Sequence, residues 1–317
     1  MQSPVVILSV DWEPDKGPWK WRGIEMDYGG ILCGTPAFCA LLDDLRIPCT
    51  WFIETSSEPS RNLPTRFADV VRQLARRDQD EIGLHIHWRR RMEDHSFVYE
   101  TIDPAWVGAQ LEHGVQQLNS LDLRPRAFRS GALLHIPHLP RMLDENGFTV
   151  DSSTLWGRAN RLQSDKKRLQ PKRLLSRVAT LTHRLVGGVP DAYFPMDSDV
   201  EQPGGAATVE FPITYSLFDS STFRRGLLCH YVKLKALMAK KTRYLTLFFH
   251  IDEVTRIGTG PDEKAEADMA IIHHFRTHLA GLKRTGARFL TCSEAREHWL
   301  RHSARASQRH LSSSTTQ

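Results

Sequence analysis

Four apolar runs in this sequence stop at residues that carry chemistry, and that recurrence limits the fold more than any other feature. Val5 to Val10 leads into Asp11-Trp12-Glu13, Glu81 to Leu84 into His85-Ile86-His87-Trp88, Ala127-Phe128 into Arg129-Ser130-Gly131, and Tyr244 to Phe249 into His250. Side chains alternate across a strand, so Asp11 and Glu13 share one side, as do His85 and His87. Two carboxylates and two imidazoles so placed suit a hard-to-borderline metal ion with a base beside it.

Helical periods separate these runs. Thr35-Pro36 reads as an N-cap followed by proline at the first helical position, opening a helix to Leu45. Pro48 to Ile53 is the second strand, and Pro64 to Arg77 sets Phe67, Val70, Val71 and Leu74 on one helical face. Pro104 to Leu121 is a further helix, and Leu139 to Asn146 is one that stops at Gly147. Phe148 to Ser153, Thr208 to Ile213 and Ala287 to Thr291 read as strands, Thr222 to Lys240 and about Asp262 to Lys283 as helices, with Ser293 capping the last helix.

Strands alternating with helices, with polar residues at the strands' carboxyl ends, imply an α/β fold. The expectation is a single distorted (β/α) barrel of about seven parallel strands over residues 1–302, with its site on that face. Two stretches stand apart. Residues 158–190, containing Lys166, Lys167, Arg168, Lys172, Arg173 and Arg177, read as a basic helical insertion, a face for solvent, for phosphates or for an anionic membrane surface. Residues 303–317, rich in Ser, Thr, Arg and Gln, read as a disordered tail.

A net charge of +5 is too small to argue for nucleic acid, which is not expected as a partner, though it welcomes an anionic substrate. The cysteines, Cys33, Cys39, Cys49, Cys229 and Cys292, form no CxxC pair and read as core thiols of a reducing compartment. The opening Met1-Gln2-Ser3-Pro4 has no basic n-region, and no apolar run is long enough to span a bilayer, so the expected location is the cytoplasm.

Taken in order, the motifs resemble polysaccharide deacetylases of the NodB-homology type, carbohydrate esterase family 4, from Val5 to Glu294. The resemblance implies that Asp11 is the catalytic base and Glu13 a metal ligand, although Trp12 separates acids that are most often adjacent in that family. Arg89 stands where a second histidine of a His-x-x-x-His motif falls. The His85-Ile86-His87 pattern is instead similar to a subgroup from lipopolysaccharide and other surface-glycan loci, making both histidines ligands and leaving His95 as the substitute. Arg129-Ser130-Gly131 resembles the motif whose arginine orients the catalytic acid, Asp151-Ser152-Ser153 the segment after it, and Leu247-Phe248-Phe249-His250 the motif whose histidine is the general acid.

The implied chemistry is hydrolysis of an N-acetyl or O-acetyl sugar. A Zn2+ or other divalent ion on Glu13, His85 and His87 would activate water, Asp11 take its proton and His250 protonate the departing group. Trp12, with Trp19 and Trp21 in the loop after it, is a candidate to stack on a sugar face or to pack as a lid on the barrel rim, and Trp88, Asp151 and Ser152 are the other candidate substrate contacts. The compartment points to a nucleotide- or lipid-diphosphate-linked sugar in surface-glycan synthesis, with peripheral membrane contact through the basic insertion. Two rivals stand beside this reading: hydrolysis of another linear amide such as a formamide, and a non-catalytic glycan-binding relative, for which Arg89 speaks.

Overall fold

The structure, a computed structural model, describes residues 3–15, 28–92, 97–154, 192–216, 244–256 and 265–314. Cys229, Trp19, Trp21, His95, the whole basic insertion and the Thr222 to Lys240 helix lie outside these residues.

The frame is a sheet of parallel strands: β1 (Val5–Trp12), β2 (Thr50–Thr55), β3 (Glu81–Ile86), β4 (Ala127–Ser130), β5 (Val150–Asp151), β6 (Val209–Glu210), β7 (Ile213–Ser216), β8 (Tyr244–His250) and β9 (Arg288–Leu290). The order across it is β6-β5-β4-β3-β2-β1-β8-β7, with β9 against the start of β1. The single strand expected from Thr208 to Ile213 is thus two. Its halves hold opposite edges of the sheet, β6 pairing with β5 and β7 with β8, and Pro212 lies between them. Proline cannot donate to a ladder, so the chain changes partners there and the sheet turns round on itself as a distorted barrel.

Helices α1 (Thr35–Leu45), α2 (Ala68–Ala75), α3 (Pro104–Asn119), α4 (Leu139–Glu145), α5 (Met269–Arg284) and α6 (Cys292–Ser314) flank it. Several boundaries differ from the sequence reading for local reasons. Thr35 is not an N-cap, because a π-helical turn, Gly30–Gly34, precedes it and Thr35 is already helical. The Pro64 to Arg77 helix is broken at Phe67, and α5 begins only after Asp268, whose side chain accepts from Ala270 and Ile271 N–H groups. Gly147 has the positive φ of +79° expected of a residue closing a helix. Helix α6 runs to Ser314, past His302 where the tail was expected; continuing a started helix needs only tolerable propensity, not an apolar face.

Strand alternation sorts the core into two layers. Val6, Leu8, Val10 and Trp12 of β1, with Trp51, Ile53, Leu84, Ile86 and Phe128, face outward onto the helices. Val5, Ile7, Phe52, Ala127, Val150, Val209, Phe211 and Tyr244 fill the barrel's amino-terminal half, where α6 begins with Cys292 and Ala295. The interior positions that follow, toward the strands' carboxyl ends, are polar: Ser9, Asp11 and Glu13 after Ile7, Glu54 after Phe52, and Arg129 after Ala127. Cys49 and Cys292 are buried and Cys33 and Cys39 half-buried, and burial raises the thiol of Cys39 to about 12 and that of Cys49 well above its usual value. No helix among the described residues is long and apolar enough to cross a membrane.

Candidate active site

Arg129 organises the centre. It is wholly buried, and its guanidinium lies over the Phe52 ring, 4.2 Å from the centroid. Nη1 donates to Asp11 Oδ1 at 2.6 Å, Nη2 to the Ser9 and Ser152 hydroxyls at 2.8 and 3.0 Å, and Nε to the Ser152 carbonyl at 3.0 Å. Ser9 in turn donates to Leu247 O and Ser152 to Phe211 O, so one side chain ties β1, β4, β8 and the segments after β5 and β6 together. Burial works against the charge on Asp11, but Arg129, with His85 and His250, outweighs it and holds the carboxyl below its usual range.

Glu13 faces imidazoles: His87 Nε2 lies 2.7 Å from its Oε2 and His250 Nε2 3.2 Å from its Oε1. His250 Nε2 also stands 3.6 Å from Asp11 Oδ2. On its other side His250 Nδ1 meets Glu253 Oε1 at 3.2 Å, while Glu253 Oε2 accepts the backbone N–H of His250 at 3.2 Å. A carboxylate on Nδ1 fixes the ring and leaves Nε2 turned toward the acids.

His85 fits a metal ligand on its own geometry. Nδ1 sits 3.0 Å from the Arg129 carbonyl, so it is the nitrogen that donates, and the buried Nε2 has no hydrogen-bond partner. Burial depresses its pKa to about 4, which keeps the ring neutral at physiological pH. Ligand atoms of Glu13, His85 and His87 all lie within 4.8 Å of one another, as do those of Asp11, Glu13 and His250. One carboxylate and two imidazoles suit zinc or another divalent first-row ion. Gly131 belongs to this arrangement, since a Cβ there would come within 2.6 Å of the His87 ring.

The sequence reading missed Ser9, Glu54, Arg61 and Glu253. Ser9 and Glu54 sit at even steps from interior residues of their strands, a period-2 signal that identifies them. Glu253 follows His250 by three residues as the acidic half of a capping box. Arg61, in a short 3₁₀ turn, Pro59–Arg61, carries no periodic signal.

Four expected substrate contacts are corrected. Trp12 and Trp88 are on the outward face of their strands and wholly buried, Trp12 donating to Thr35 Oγ1 at 2.9 Å and Trp88 to Ser130 Oγ at 2.7 Å. Neither presents a face for a sugar. Ser152 is buried beneath Arg129 as described. Asp151 points outward, away from the site, and is fully buried beside its register partner Glu210.

Glu210 accepts from the Thr154 N–H and hydroxyl, and Asp151 from the Ser153 hydroxyl. Burial, then the nearby Glu210, raises Asp151 well above 3.8, so the pair holds a proton that the unfolded chain releases. The folded state therefore binds more protons, and stability falls as pH rises from the unfolded value through the folded one. Asp151→Asn removes that dependence. Its melting temperature is expected to exceed wild type at pH 8 and to match or fall below it at pH 4, checked by thermal scans at both.

No family model matches the sequence, and no curated protein matches it. Solved structures do resemble it. A candidate polysaccharide deacetylase from Mycobacterium smegmatis aligns with a TM-score of 0.59 at 16% identity, over 94% of this chain and 90% of that one. Puue allantoinase aligns at 0.55 and 16%, over 93% and 89%, and a probable polysaccharide deacetylase from Pseudomonas aeruginosa PAO1 at 0.54 and 16%, over 94% and 90%. This chain therefore has the fold of the polysaccharide deacetylases that its motifs resemble.

Proposed function

We propose that this protein is a metal-dependent hydrolase that removes an N-acetyl or O-acetyl group from a sugar during cytoplasmic synthesis of a surface glycan. The observation that carries the reading is convergence. Asp11, locked to Arg129, meets His250 and the Glu13, His85 and His87 donor set at the carboxyl end of the barrel strands. A divalent ion such as Zn2+, when bound there, supplies Lewis acidity that makes water a usable nucleophile at neutral pH and polarises a carbonyl.

The chain's own residues do the rest. Asp11, kept ionised by Arg129, takes the proton from the attacking water. His250, oriented by Glu253, returns a proton to the departing nitrogen or oxygen. His85 and His87, with Glu13, hold the ion. A nucleotide- or lipid-diphosphate on the sugar, its capture by residues 158–190 and peripheral membrane contact there are part of the proposal, motivated by the charge of that stretch. An allantoinase shares the fold to a similar degree, which favours hydrolysis of a different amide as the second reading.

The test is metal content, followed by product analysis, on protein purified without a metal-binding tag. Wild type is expected to hold about one divalent ion per chain and His87→Ala far less. Wild type should release acetate from N-acetylated sugars, free or nucleotide-linked, with activity abolished by chelator and restored by zinc. Release of formate or of another acid alone would select the second reading. Wild type that takes up no metal on reconstitution would overturn both in favour of a glycan-binding relative.

A further inference from the structure

Glu54 is a carboxylate inside the barrel that the proposed reaction leaves unused. It is the register partner of His85 across β2 and β3, is wholly inaccessible to solvent, and its charge acts on His85. Arg61 clamps it from the loop above, Nε donating to Oε1 at 2.7 Å and Nη2 to Oε2 at 2.8 Å. The same Nη2 lies 4.0 Å from Glu13 Oε2, so one guanidinium nitrogen stands between the two glutamates. Arg61 is buried, 2% exposed, with its guanidinium turned to Glu54 and Glu13. Burial opposes its charge, and Glu54 and Glu13 outweigh that.

A buried glutamate beside two imidazoles and a second glutamate is itself a good oxygen donor for a divalent ion. A bidentate guanidinium is the side chain that occupies both carboxylate oxygens at once. We propose that Arg61 masks Glu54, confining the ligand set to Glu13, His85 and His87 and setting the charge that the ion meets. This rests on the metal-centre reading above. Arg61 and Glu54 are positioning residues, acting on the ion's ligands and not on substrate.

The pair is neutral as a unit, which gives its two halves opposite effects. Arg61→Met releases a buried negative charge toward the ion; Glu54→Gln releases Arg61 toward Glu13, where it repels the ion. The double variant removes both charges and leaves their sum unchanged. A merely structural role weakens binding in every variant, so the sign separates the two accounts.

The experiment is zinc affinity by competition with a chromophoric chelator at pH 7, on the full chain, for wild type, Arg61→Met, Glu54→Gln and the double variant. Arg61→Met is expected to bind zinc about tenfold tighter or more, and Glu54→Gln about tenfold weaker or more. The double variant should lie within about threefold of wild type. Single variants that move together, or that do not move, overturn the mask. If Arg61→Met fails to fold, weaker zinc in Glu54→Gln with recovery in the double variant still supports it, and no recovery overturns it. Wild type that binds no zinc sinks the metal-centre reading itself, a result distinct from zinc binding that is indifferent to this pair.

Discussion

Asp11→Asn is expected to lower kcat by about 10³-fold while zinc content and the folded state persist. Asparagine keeps an oxygen for the Arg129 Nη1 that now lies 2.6 Å from Asp11 Oδ1, but it cannot accept a proton. Arg129 still holds the Ser9 and Ser152 hydroxyls and the Ser152 carbonyl, so the scaffold beneath the site remains tied. His250→Ala loses turnover for a different reason, which the leaving group reveals. With an aryl acetate, whose phenolate departs without a proton, His250→Ala should recover most of its loss and Asp11→Asn should not. The readouts are kcat on an N-acetyl sugar and on an aryl acetate, with metal content measured alongside. Asp11→Asn at wild-type kcat would remove Asp11 from the role of base, and an His250→Ala defect equal on both substrates would remove His250 from that of acid.

The strand ends were legible because a parallel barrel imposes a rule on sequence. Apolar residues fill the layer near the amino ends, polar ones close each strand, and alternation decides which side chains share the interior. Asp11, Glu13, His85, His87, Arg129 and His250 obey that rule and meet in the structure. Trp12, Trp88 and Asp151 obey it too, at the opposite parity. Each is one residue removed from an interior position and therefore faces outward, so proximity in sequence to a site residue is misleading on a strand. Arg61 was not legible for another reason: it comes from an irregular turn, and its place beside Glu54 and Glu13 is set by tertiary packing. The split of the Thr208 to Ile213 strand was signalled by Pro212, but that its halves pair with opposite edges of the sheet depends on closure of the whole barrel.

Arg129→Met is expected to cost about 3–5 kcal/mol of stability, the largest structural effect of any single substitution at this centre, measured by urea unfolding at pH 7. Two contributions add. Removing the guanidinium leaves the Asp11 carboxylate buried without the cation that holds it ionised. It also strips partners from the Ser9 and Ser152 hydroxyls and from the Ser152 carbonyl, groups drawn from different strands. Arg129→Lys restores one charge but not the planar fork, so it should recover the Asp11 interaction and only part of the rest. The double variant Asp11→Asn, Arg129→Met separates the contributions, because it removes the uncompensated charge and leaves only the unmade hydrogen bonds. Its stability is expected to exceed that of Arg129→Met alone by about 1–3 kcal/mol. Equal stabilities would mean that Asp11 takes up a proton in the single variant without cost. A double variant less stable than Arg129→Met would show that Asp11 contributes to the fold without Arg129, against the geometry in which the arginine is its closest cation.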